Sequence, residues 1–243
     1  MIQYTSVPSI KEIVMPIPPL EIQEEIVRLL DDFYKVSREL GVKIDAEYEA
    51  REKQYSYYKE KLFNFNDIDY VSLEEVMEFR NGKGHEKSIV PNGKYVVVNS
   101  KFISTNAMVK KYSNEQIAPL YVDDILLVMS DLPNGRALAR TFLVTEDDKY
   151  TLTQRICAVT VKNKNKYLTK FLYYFLDRNP QFLQYDNGVY QTNLKKSDIL
   201  GIKIPVMSIE EQIKIVSILE KYYGLYTGIN EELTEEKNNR KKQ

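Results

Sequence analysis

One stretch of this 243-residue chain occurs twice, and the pair frames everything between them. The first copy, SIKEIVMPIPPLEIQEEIVRLLDDFY, runs from Ser9 to Tyr34, and the second, DILGIKIPVMSIEEQIKIVSILEKYY, from Asp198 to Tyr223. At a constant offset of 189, Ile10, Ile13, Pro16, Glu21, Gln23, Ile26, Val27, Leu30 and Tyr34 fall on Ile199, Ile202, Pro205, Glu210, Gln212, Ile215, Val216, Leu219 and Tyr223. Nine identities in 25 ungapped positions include the prolines and the leading isoleucines, which two helices alike only in composition would not align.

Both copies share one physical grammar. A short β-branched run, Ile13–Ile17 or Ile202–Val206, carries a proline near its end, where a ladder donor is not needed. Acids then open a helix: Glu21 and Glu24 in one copy, Glu210 and Glu211 in the other, each opposing the positive helix N-terminus. Ser208 suits an N-cap, and Glu211 three residues on completes a capping box. Each unit therefore reads as strand, proline turn and long helix.

The spacing predicts a first helix over 21–63. Ile26, Leu30, Phe33, Leu40, Ile44, Tyr48, Tyr55, Tyr58 and Leu62 recur near every 3.5 residues, a stripe that asks for a partner helix along its length. At 1.5 Å per residue it would be roughly 60 Å long. A second helix is expected over 208–243, with Ile209, Ile215, Val216, Leu219, Tyr222, Tyr226, Ile229 and Leu233 as its stripe. The two would pair as an antiparallel coiled coil within one chain, or between two chains. Residues 1–20 have no element before them to pair with, so they read as the tail of a preceding module, or else as a simple edge strand.

Residues 64–207 hold the globular part. A helix or strand is expected over Ser72–Phe79, then strands over Tyr95–Asn99, Asp124–Ser130, Arg136–Thr145 and Thr151–Lys162, and an aromatic helix over Leu168–Leu176. That mixture makes the fold class α+β, one mixed domain bracketed by two long helices.

Composition closes off several classes. Lys and Arg total 34 against 35 Asp and Glu, so no single basic field dominates, although a local basic groove is compatible with that balance. Cys157 is the one cysteine, which excludes a disulfide framework or a cysteine zinc site and suits the cytoplasm. No apolar run is long enough for a membrane span. Catalytic signals are poor. His85, the one histidine, sits in a Gly-Lys loop and reads as loop polarity. Asp147-Asp148-Lys149 has a nuclease-like spacing, but a charged hairpin tip explains it better. There is no phosphate-binding Gly loop, and no Asn-Pro-Pro-Tyr/Phe stretch of amino-methyltransferases.

Binding signals are stronger. Arg and Lys suit guanine edges, and Asn and Gln suit adenine edges. Arg80, Asn81, Lys83 and Lys87 cluster in one loop and Ser130, Asn134 and Arg136 around a second. Gln154 and Arg155 are expected to project from a strand, and Tyr190, Gln191, Asn193 and Lys195 from a last loop. Gly82, Gly84, Gly135 and Gly188 would let these loops approach a backbone closely.

On these residues the chain resembles the specificity subunits of type I restriction-modification enzymes. The signature entering each helix is an apolar strand, Pro, then Leu-Glu-x-Gln-x-x-Ile-Val, standing here as Pro16–Val27 and Pro205–Val216. Tyr95–Ser100, Asp124–Val128 followed by Asn134-Gly135-Arg136, and Gly188–Lys196 add patterns of its recognition domain. The resemblance implies a non-catalytic protein. Its recognition domain would read one half of a bipartite double-stranded DNA sequence, and its two helices would form the spacer. Gln23, Ile26, Leu30, Phe33, Gln212, Val216, Leu219 and Tyr222 would pack the helices and dock methyltransferase subunits. A motor-nuclease subunit would join them. S-adenosylmethionine, ATP and Mg would belong to those partners, so no cofactor is expected here. The family's usual subunit has two recognition domains and this sequence has one, so two copies would pair as a homodimer and read an inverted repeat. The competing reading is a coiled-coil scaffold or regulator without DNA reading.

Overall fold

The first copy of the repeat opens helix α1 (Leu20–Leu62), 43 residues long, which starts after Pro18-Pro19 and runs through Gly41 with open space around that glycine. A computed structural model of the chain describes residues 16–133 and 137–240, excluding the side chains at 48 and 225–240. Most of the strand expected at Ile13–Ile17, and of the tail assigned to residues 1–20, lies outside the described residues, as do Asn134 and Arg136.

After α1 come β1 (Tyr70–Ser72), α2 (Leu73–Val76), β2 (Met77–Asn81), β3 (Ile89–Val90), β4 (Tyr95–Val98), α3 (Ser100–Ser104) and β5 (Tyr112–Ser113). The chain continues through β6 (Ile125–Val128), β7 (Ser130–Asp131), β8 (Thr141–Leu143), β9 (Tyr150–Leu152) and β10 (Ile156–Val161). It ends in α4 (Thr169–Leu176), α5 (Pro180–Leu183), β11 (Thr192–Asn193), α6 (Lys196–Leu200), β12 (Lys203–Pro205) and α7 (Ile209–Arg240). The contacts divide it into a larger unit, Tyr55–Gly224, and a helical unit, Met1–Gln54 with Leu225–Gln243. Mixed α and β structure is what the sequence implied.

The larger unit is organised around the antiparallel sheet β2-β10-β6-β8. Its central strands, Ile125-Leu126-Leu127-Val128 and Ile156-Cys157-Ala158-Val159, are buried on both faces and read as continuous apolar runs. Successive side chains serve different cores. Ile125, Leu127, Cys157 and Val159 pack with Phe171, Leu172, Phe175, Phe182, Ile199 and Val216 on the helical side. Leu126, Val128, Ile156 and Ala158 pack with Val96, Val98, Phe102, Tyr150 and Leu152 on the side of the second sheet, β3-β5-β4-β9. Burial pushes the Cys157 thiol up to about 12, so it is an inert core group.

The second copy of the repeat is built into this unit. Its strand β12 pairs antiparallel with β1, and the Ser208–Glu211 capping box forms. The bonds from Ser208 hold the exposed Glu211 carboxyl below its usual range. Gln212 is fully buried: its Oε1 accepts from Leu168 N at 2.9 Å, and its Nε2 donates to Lys166 O at 2.8 Å and Met207 O at 3.2 Å. The end of α1 reaches the same region. Tyr55 lies edge-on to Tyr223 and Tyr58 stacks on Tyr222, contacts that run in opposite chain sense. Lys59 Nζ donates to Asp177 O at 2.5 Å and Oδ2 at 3.1 Å, while burial drives its pKa down.

In the helical unit, Ile44 is the one buried side chain among the described residues. Ile26, Val27, Leu30 and Phe33 lie exposed on α1. Leu30 is 62% exposed and its repeat counterpart Leu219 1%.

Several expectations change. Thr151–Lys162 is not one strand: it breaks after β9, Ile156 N closes a turn onto Thr153 O, and β10 continues in a different sheet. Gln154 and Arg155 therefore sit on an exposed corner rather than on a strand. The strand expected over Arg136–Thr145 is only Thr141–Leu143, because Ala139 takes a left-handed φ of 57° in a turn that Arg140 N closes onto Ala137 O. Asp124–Ser130 splits at Met129, and β7 leaves the main sheet to pair with β11. His85 is no loop-surface group: it is buried, with Nδ1 2.7 Å from Lys83 O and Nε2 2.8 Å from Thr151 Oγ1.

Candidate nucleic-acid interface

Four segments distant in sequence meet at one end of the central sheet. At the end of β2, Asn81 stands opposite Cys157, Gly82 N bonds Ile156 O at 3.2 Å and Lys83 N bonds Leu152 O at 3.0 Å. Gly82 is required by this approach, since a Cβ there would lie 1.9 Å from Thr153 O. On the other side of that corner, Met129 N bonds Arg155 O at 3.0 Å, and Leu194 N bonds Met129 O at 2.8 Å. The β7–β11 ladder then sets Asn193 opposite Ser130.

This ladder of neighbouring backbones carries most of the sequence-selected residues on one rim. Asn81, Lys83, Gln154, Arg155, Gln191, Asn193 and Lys195 are all exposed there. Their roots are fixed by bonds within the rim. Gln191 Nε2 donates to the buried Ser130 Oγ at 2.8 Å, with Asn193 Oδ1 at 3.4 Å, and Gln154 Nε2 donates to Glu86 Oε1 at 3.2 Å. Lys87 is exposed on the turn that Ser88 N closes onto His85 O. Tyr190 is exposed just before β11. A rim of amides and cations on a rigid sheet end offers donors and acceptors to base edges, with positive charge for phosphates.

Arg80 is placed differently. It pairs with the buried Asp124 carboxylate, donates to Pro119 O at 3.1 Å and lies over the Tyr121 ring. Thr160 Oγ1 and Tyr121 N also bond Asp124, so Arg80 completes an internal polar hub rather than facing outward as expected.

Two residues outside the sequence-selected set brace the rim. Asp131 gathers the backbone N–H groups of Leu132, Ala137 and Leu138 at 2.9, 2.7 and 3.1 Å. Asn187 Oδ1 accepts from Val189 N at 3.0 Å and Tyr190 N at 3.1 Å. The Asn187-Gly188 and Pro133-Asn134-Gly135 turn signals were the available clues. Among the described residues no cluster of His, Cys, Asp or Glu could hold a metal ion, and no helix is long and apolar enough to cross a membrane.

Comparison with known proteins bears on this geometry. Residues 66–236 match the family model of the type I restriction modification DNA specificity domain. The Escherichia coli type I restriction enzyme EcoR124I/EcoR124II specificity subunit is 28% identical over 266 residues, covering 99% of this chain and 63% of that protein. The Mycoplasma pneumoniae putative type I specificity subunit S.MpnORF615P is 26% identical over 245 residues, covering 96% of this chain and 90% of that protein. A chain solved in a study of complex assembly and conformational transition of the type I R-M system superposes with a TM-score of 0.67 at 16% identity. That match covers 93% of this chain and 57% of the solved one, and it shows a common fold. The family model spans more than half of the sequence and both elements of its second repeat, so the chain belongs to the type I restriction-modification DNA specificity family.

Proposed function

We propose that this chain is a non-catalytic DNA-sequence specificity subunit that reads one half-site of a bipartite double-stranded target. The observation that carries the reading is the rim. Asn81, Lys83, Gln154, Arg155, Gln191, Asn193 and Lys195, drawn from three separate segments, stand side by side on one sheet end, with their backbones bonded to one another or through Met129 and Ser130. Rigid presentation of amides and cations is what base readout needs, since a loosely held reader loses discrimination.

The chain docks methyltransferase subunits, which hold S-adenosylmethionine and do the chemistry, and a motor-nuclease subunit with its ATP and Mg completes a restriction complex. Two copies pair through the long helices as an antiparallel coiled coil. The exposed Ile26, Val27, Leu30 and Phe33 face supplies apolar surface for that association, while within one chain the Tyr55–Tyr223 and Tyr58–Tyr222 contacts set the end of α1 and the start of α7 in antiparallel sense. A two-fold dimer with one reader per chain recognises an inverted repeat.

The test is to express the chain with a type I methyltransferase subunit and map methylated bases across the host genome. The expected product is methylation at one interrupted inverted repeat that disappears when the chain is omitted. Methylation that ignores the chain, or a site whose halves are unrelated, would refute specificity or the dimer respectively.

A further inference from the structure

Two exposed apolar tips stand beside the amide rim. Leu132, just after β7, is 68% exposed, and Val189 and Tyr190, just before β11, are 65% and 72% exposed. The register of Thr192 opposite Asp131 places the tips on adjacent backbone segments, continuous with Ser130, Gln191 and Asn193.

Neither tip trails loosely. The Asp131 carboxylate accepts from the backbone N–H groups of Leu132, Ala137 and Leu138, and the Asn187 amide caps the backbone of Val189 and Tyr190. Asp186 Oδ1 adds bonds from Gly188 N at 3.0 Å and Thr192 Oγ1 at 3.2 Å, and Gly188 supplies the left-handed φ of 67° that the turn needs. Backbone ordered in advance need not be ordered on binding. The surroundings select the occupant. Exposed Arg155 and Lys195 lie on the same bonded segments, so a polyanion is favoured, and the neighbouring amides suit base edges. In the major groove the apolar feature available to such tips is the thymine 5-methyl group.

We propose that Leu132, Val189 and Tyr190 form an apolar clamp for a thymine 5-methyl group, next to the base pair addressed by Gln191 and Asn193. The clamp rests on the DNA-reading function proposed above, and the experiment separates the two. The full chain is used to select duplexes from a pool with a randomised centre. Each thymine of the enriched sequence is then replaced singly by deoxyuridine, which removes only the methyl group.

One such replacement should weaken binding by the intact chain about fourfold, the effect of one buried methyl-sized group. The same replacement should have no effect on Tyr190→Ala or Leu132→Ala, while Tyr190→Phe keeps the sensitivity. Uracil substitution that is neutral at every position, or a fourfold loss that persists in both alanine variants, overturns the clamp and leaves DNA reading standing. Alanine variants that match the intact chain in both affinity and enriched sequence would also overturn the clamp. If the intact chain enriches no sequence, DNA reading fails and the clamp fails with it.

Discussion

Gln212 Oε1 accepts the backbone N–H of Leu168 at 2.9 Å, so a side chain at the start of α7 satisfies the backbone leading into α4. The amide is buried and also bonds Lys166 O and Met207 O. Gln212→Ala would strand buried donors and acceptors, which costs about 1–3 kcal/mol. The thermal midpoint should fall by several degrees in calorimetry. Gln23, its repeat counterpart, bonds Pro18 O at 2.7 Å in a more exposed setting. Gln23→Ala should stay within about 0.5 kcal/mol of the parent. Equal losses in the two variants would show that the buried bonds carry nothing.

Two arginines that look alike in sequence should behave oppositely. Arg80 neutralises the buried Asp124, so Arg80→Ala should destabilise the fold by about 1–3 kcal/mol, allowing for the partial exposure of the guanidinium. Arg155 stands exposed on the rim corner, so Arg155→Ala should leave the unfolding midpoint unchanged and shift which sequences are bound or methylated. A loss of discrimination of about 1–3 kcal/mol at one base position is the expected size. Unfolding curves paired with sequencing of bound duplexes give both readouts.

The contrast between those arginines shows where sequence reading stops. The course of α1 was legible because its apolar period continues from Ile26 to Leu62, and the Ser208–Glu211 cap because a cap is local. Arg80 and His85 were misread because their partners, Asp124 and Thr151, lie 44 and 66 residues away. The corner at Gln154-Arg155 was hidden for another reason. Apolar alternation records burial, and both β9 and β10 are buried, so the pattern runs on while the chain changes sheets. Which side chains composed the rim was largely legible from Gly, amide and basic residues recurring in loops. Their order along the rim was not, because it depends on long-range pairing of β2, β10, β6 and β11.

Tyrosine burial predicts an alkaline limit to stability. Desolvation raises Tyr55, Tyr173 and Tyr174 above the usual value of 10.0, Tyr174 to about 12. Above pH 10 the unfolded chain releases these protons while the folded chain keeps them, so folding binds protons and stability falls as pH rises. Below pH 10 both states stay protonated and the contribution is flat. Denaturant midpoints should decline from about pH 10 towards pH 12, and Tyr55→Phe should flatten that decline. Parallel curves for parent and variant would remove Tyr55 as a source.

Leu30 and Leu219 occupy equivalent repeat positions in opposite environments, the first exposed and the second buried. Leu219→Asp would place a carboxylate in a core and should unfold the larger unit, at a cost of more than about 3 kcal/mol. Leu30→Asp meets solvent in the single chain and should fold with an unchanged circular dichroism spectrum. If α1 pairs copies through its apolar face, that folded variant should sediment as a monomer where the parent sediments as a dimer. It should also lose methylation of an inverted repeat while keeping its affinity for one half-site. A Leu30→Asp chain that remains dimeric would place the interface elsewhere on the helices.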